Sequence, residues 1–148
     1  MRSVLHWLFG FLLALALAAG LAAAGAPASD IEVSDAWIRW LPADLPAGGY
    51  LTIVNRATVN RVLIAITSPA YGEVGIHRSL TDHGMSTMQS VDSVTLRPGV
   101  PFRFEEGGYH LMLMHPLTAV HPGARVTMSF RFKNAPSIDV VFAVRGSG

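Results

Sequence analysis

Along residues 124–132, ARVTMSFRF, apolar and polar positions alternate. Val126, Met128, Phe130 and Phe132 fall on one side, and Arg125, Thr127, Ser129 and Arg131 on the other. A period of two is that of a strand with one buried and one wet face. Similar β-favouring runs recur at intervals of roughly ten residues, separated by Gly, Pro, Asn and Asp. They are IEVSDAWIRW, GGYLTIVN, RVLIAITS, GEVGIHRS, MSTMQSV, SVTL, PFRF, YHLMLM, ARVTMSFRF and SIDVVFAV. The cadence predicts an all-β fold, a sandwich or barrel of antiparallel strands. No stretch after residue 29 sustains a helical period beyond two turns.

One run alternates in an unusual way. In GGYHLMLMHP, residues 107–116, Tyr109, Leu111 and Leu113 share one side, and His110, Met112 and Met114 share the other. Burying the tyrosine and leucines has no polar cost, whereas the reverse arrangement buries an imidazole that needs hydrogen-bond partners. The His/Met row is therefore expected near the surface, where packing does not account for it. A strand buried on both faces is the alternative. Met128, among phenylalanines, reads as core filler.

The chain has 148 residues. Its opening, MRSVLHWLFGFLLALALAAGLAAAGAPASD, carries one arginine, a long apolar run and a small-residue exit. This is the pattern of a secretory signal, residues 1–28, cut after APA; an uncleaved anchor is the alternative. Residues 29–148 then form a single exported domain, with no repeat or linker. Removing the signal takes away only Arg2 of the charged residues, leaving ten of the eleven basic side chains against ten acidic ones. A neutral domain lacks the basic patch that nucleic acid requires. No cysteine is present, which excludes disulfides and every thiolate metal site.

A second His/Met pair lies in GIHRSLTDHGMSTMQS. A hairpin turning about Asp82 and His83 would set His77 opposite Met88, whereas a three-residue loop with a bulge at Gly84 would turn Met88 away. Two imidazoles with thioethers and no thiolate form a soft, uncharged donor set. Such a set selects Cu(I) over zinc, iron or calcium, and lacks the cysteine of a blue-copper electron carrier.

His77, ten residues, Met88, twenty-one residues, then His110-x-Met112 resembles the ligand pattern of the periplasmic copper chaperone family PCuAC. SDAWIRW, GGYLTIVN and GGYHLMLM extend the resemblance over residues 31 to about 144. It implies a cupredoxin-like Greek-key β-sandwich holding one Cu(I) at His77, Met88, His110 and Met112. It also implies delivery of the ion to periplasmic copper proteins, such as a cytochrome oxidase subunit or an assembly factor. Arg78 departs from the family's usual Glu or Met after the first histidine. The chain stops at VRGSG without a Met/His-rich tail, so no second site is expected.

The remaining candidates read more plainly. Met114 and Met85 are lesser ligand candidates; His83 is expected in a turn and His121 in a loop. His115, before Pro116, is expected to be extended and near the site rim. Trp37, Trp40 and Tyr50 are expected to pack the sandwich, and Arg39, Arg56 and Arg61 to form a wet strand face. The expected activity is binding and handover by a monomer, without catalysis. A metal-free interaction module is the competing class, and a copper enzyme is a weaker third.

Overall fold

The alternation along the chain dictates where the core forms. In the computed structural model, which describes residues 29–147, ten strands follow one another with no helix among the described residues. They are β1 (Ile31–Trp40), β2 (Ala47–Asn55), β3 (Arg61–Thr67), β4 (Tyr71–Asp82) and β5 (Met85–Ser90), then β6 (Val94–Leu96), β7 (Phe102–Phe104), β8 (Tyr109–Pro116), β9 (Arg125–Phe132) and β10 (Ile138–Gly146). Each expected run is a strand. The proposed signal segment lies outside the described residues.

On β9, Val126, Met128, Phe130 and Phe132 point inward and are buried. On β8, Leu111 and Leu113 are wholly buried, while His110, Met112 and Met114 keep partial exposure. Each such buried aliphatic or aromatic side chain contributes about 1.5–3 kcal/mol. The register of β8 is therefore fixed by its leucines, and a slip of one residue would bury the histidine.

The strands are hydrogen-bonded in the order β5-β4-β8-β2-β1-β10-β9-β3-β6, with β7 also on β2. The path folds over a common core as an open sandwich. β2 gives one edge to two strands, pairing Ala47–Gly49 with β8 and Leu51–Ile53 with β7. One pairing departs from the antiparallel expectation: β10 runs parallel to β1, with Trp37 opposite Ala143 and Trp40 opposite Gly146. β1 is irregular between Ser34 and Trp37, with Asp35 at φ 53°; it pairs with β2 on both sides of this point and with β10 from Trp37 onward.

The β4–β5 hairpin corrects the expected register. Its turn is His83-Gly84, with φ of 47° and 79°, and Asp82 faces Met85. Two positive-φ residues make the type I′ turn whose twist matches the flanking strands. Asp82 also pairs with His83, its Oδ1 lying 2.6 Å from Nδ1. The turn centre thus lies one residue beyond the expected one. His77 faces Ser90, and Met88 faces Ser79. Because the shift is two residues, Met88 stays on the face of His77.

His115 is a second correction. Its φ is 55°, left-handed and not extended. Gly72 opposite makes room for this, since a Cβ there would come within 3.2 Å of the His115 Cβ. The imidazole is exposed, on the side of the leucines.

Candidate metal centre

The outer face of β5-β4-β8-β2 can be read row by row from the pairings. His110 faces His77, which faces Ser90. Two residues along in one direction, Ser79 faces Met88. Two residues along in the other, Met112 faces Gly75 on β4 and Gly48 on β2. Each thioether thus has only glycine or serine as its lateral neighbour, and the two imidazoles are each other's neighbours. Small neighbours leave the long side chains free to lean over the sheet.

The imidazole rings of His77 and His110 have centroids 6.0 Å apart. Two imidazoles bonded to one first-row metal at about 2.0–2.1 Å cannot have centroids much beyond roughly 6 Å. The observed spacing falls within that reach. Met88, His110 and Met112 line one cleft of about 320 Å³ together with Arg39, Tyr50 and Glu106. His77 joins this group from beside His110 and does not itself line the cleft. Met88 is 58% exposed and Met112 half-buried.

Local backbone contacts orient the two imidazoles. His110 Nδ1 lies 3.1 Å from the Gly108 carbonyl oxygen. That oxygen can only accept, so Nδ1 carries the proton and Nε2 is left with its lone pair. The same carbonyl accepts the Ser79 N–H at 3.0 Å, which ties β4 to the turn before β8. His77 leans back along its own strand: a Cβ on Gly75 would lie 2.9 Å from its Nε2. That nitrogen therefore points toward the row of Met112. Burial, and then the neighbouring His110, push the His77 imidazole below its ordinary value, with Glu73 opposing. Both effects favour the neutral, ligand-competent form.

Among the described residues, no three His, Cys, Asp or Glu side chains gather to hold a metal. A metal held at this face would need the thioethers. Met114 lies beyond the cleft, opposite Glu73, and Met85 sits at the hairpin tip, 71% exposed. His83 is in the turn and His121 in a loop, both exposed.

Three cleft residues escaped the sequence reading. Tyr50 is buried, as expected, but outside the main core cluster: its phenol folds over Gly48, where a Cβ would lie 2.6 Å from the hydroxyl. Trp37 lies against it with ring centroids 4.8 Å apart and planes tilted by 39°, and Arg145 sits over Trp37 at 4.9 Å. Arg39 is not simply a wet residue, because its Nη1 pairs with Glu106 at 2.7 Å and its Nη2 donates to the Tyr50 hydroxyl at 2.9 Å. Glu106 had no signal beyond its place before the glycine pair. Arg61, also expected on a wet face, is mostly buried and paired with Asp30. Trp40 does pack against the core.

Residues 31–144 match the LpqE-like family across nearly all of the described chain. The chain belongs to the LpqE-like family. Protein Lxx21020 of Leifsonia xyli subsp. xyli, which bears a lipoprotein designation, is 26% identical over 122 residues, 82% of this chain and 73% of that protein. Protein RP573 of Rickettsia prowazekii is 30% identical over 84 residues, 56% of this chain and 46% of its own length. Among solved structures, the copper-bound PCuAC domain from PmoF2 superposes with a TM-score of 0.68 at 22% identity, covering 80% of this chain and 95% of that one. The Cu(I) form of DR1885 from Deinococcus radiodurans gives 0.55 at 19% identity, over 83% and 81% of the two chains. This LpqE-like chain therefore has the fold of the PCuAC domains, as the resemblance in its sequence implied.

Proposed function

We propose that this protein holds one Cu(I) ion through His77, Met88, His110 and Met112 and passes it to a copper-accepting protein. The observation that supports this reading is that two adjacent imidazoles and two thioethers share one outer face. The set contains no anionic donor. Thioethers select Cu(I), and imidazole accepts copper readily. Two proteins of the same fold are copper-bound, one of them as Cu(I).

The chemistry is binding and release, without catalysis. Neutral donors leave the positive charge of the ion uncompensated, and Met88 stands on an exposed edge strand. A partner supplying competing ligands can displace that thioether first and draw the ion out through a shared intermediate. The recipient on this reading is a periplasmic copper protein, such as a cytochrome oxidase subunit or assembly factor. The apolar, small-residue-ended leader and the lipoprotein designation of a relative support export to that compartment.

Titration with Cu(I) against a chromophoric chelator tests the reading. One equivalent is taken up by the wild type, and the uptake is lost in His110→Ala. No uptake by the wild type would leave the His/Met face as a metal-free contact surface and overturn the proposal.

A further inference from the structure

Sheet pairing sets four residues in one row across four strands. Arg39 on β1 faces Gly48 on β2, Gly48 faces Met112 on β8, and Met112 faces Gly75 on β4. The row reads arginine, gap, thioether, gap. Among the described residues, Arg39 is the only arginine or lysine lining the cleft, and its guanidinium has two separate engagements.

The first arm leads to His110. Arg39 Nη1 holds Glu106 at 2.7 Å. Glu106 belongs to the turn that contains Gly107, at φ 76°, and Gly108. The turn is closed by the Gly108 N–H donating to the Glu105 carbonyl at 3.2 Å, and the Gly108 carbonyl accepts from His110 Nδ1. The second arm leads to Met112. Arg39 Nη2 donates to the Tyr50 hydroxyl at 2.9 Å, and that phenol occupies the space above Gly48, the lateral neighbour of Met112. The guanidinium also sits over the Tyr50 ring, 5.6 Å from its centroid.

We propose that Arg39 is a positioning residue for the copper site, holding through Glu106 the turn that orients His110 and through Tyr50 the wall beside Met112. The inference rests on the Cu(I) reading above and deepens it. A rigid fork suits two divergent partners, whereas a lysine ammonium on a flexible stem holds one partner at a time. Partners that orient a ligating histidine commonly change metal affinity by about 10–100-fold when removed. The Glu106 arm is largely exposed, so alone it is the weaker of the two.

Two readouts on the same protein test the inference: the ¹⁵N signature of the His110 tautomer without metal, and Cu(I) affinity by chelator competition. In Arg39→Gln, His110 is expected to lose its single Nδ1-protonated tautomer and Cu(I) affinity to fall about tenfold. Glu106→Gln, at an exposed position, is expected to lower affinity about two- to fivefold with a partial tautomer change. Arg39→Lys is expected to recover part of both losses. An Arg39→Gln protein with the wild-type His110 signature and unchanged affinity overturns the inference. So does tighter binding, which would make Arg39 a repelling charge. If Arg39→Gln does not fold, an unaltered His110 signature in Glu106→Gln overturns it equally. A wild type that takes up no Cu(I) sinks the copper reading, while the metal-free tautomer still decides the role of Arg39.

Discussion

His110 and Met88 separate two kinds of contribution a side chain can make at this face. His110 is half-buried and anchored at Nδ1 by the Gly108 carbonyl, whereas Met88 is 58% exposed on an edge strand. Removing Met88 opens no core cavity, so Met88→Ala is expected to leave stability within about 0.5 kcal/mol while lowering Cu(I) affinity. Parallel urea melts and chelator competition check this, and equal affinity would remove Met88 from the site. Protons compete with copper at the imidazoles. Burial and His110 lower the His77 value, so the unfolded chain takes up that proton first. The stability His77 contributes is thus present above about pH 6.5 and is lost as pH falls through its lower folded-state value. Cu(I) affinity is expected to be level above about pH 6.5 and to fall on acidification. A chelator competition that gives the same affinity at mildly acid and neutral pH would contradict histidine ligation.

At the scale of the element, the strands were readable and their mutual register was not. Alternation in YHLMLM placed the leucines inward and the His/Met row outward, because burying two leucines outweighs any other choice for that strand. The β4–β5 register depended instead on a single backbone fact, that His83 adopts φ 47° beside Gly84. No period of hydrophobicity encodes that. His83→Asn would create the Asn-Gly pair that favours this turn most strongly. It is expected to raise stability modestly and leave Cu(I) affinity unchanged, and weaker copper binding would show that His83 belongs to the site. The small residues between the histidines and methionines make the opposite prediction. A methyl group at Gly75 meets His77 Nε2 at 2.9 Å. Gly75→Ala is therefore expected to weaken Cu(I) binding more than it weakens the fold, as chelator competition and thermal melting compared side by side would show. Arg39, Tyr50 and Glu106 were illegible as a group because they come from three segments that only pairing across the sheet brings together.

Over the whole molecule, the His/Met face and the core are opposite sides of the same strands. Met128 is wholly buried between Phe130 and its neighbours on β9 and β10, and the same residue type serves as filler there. Met128→Ala is expected to cost about 2–5 kcal/mol of stability in urea melts while leaving one copper per chain. This is the reverse of Met88→Ala. The sequence pattern assigns Met128 to the core by its phenylalanine neighbours, whereas it singles out Met88 only through an expected hairpin and the family resemblance. It could not foresee the parallel pairing of β1 with β10, which rests on contacts between the two ends of the domain. The central claim is that two imidazoles and two thioethers on this face hold one monovalent copper ion. Copper K-edge absorption of the Cu(I)-loaded protein tests it most directly. The spectrum is expected to show two nitrogen and two sulfur scatterers, with one sulfur lost in Met112→Ala. A spectrum with nitrogen and oxygen alone would contradict the account.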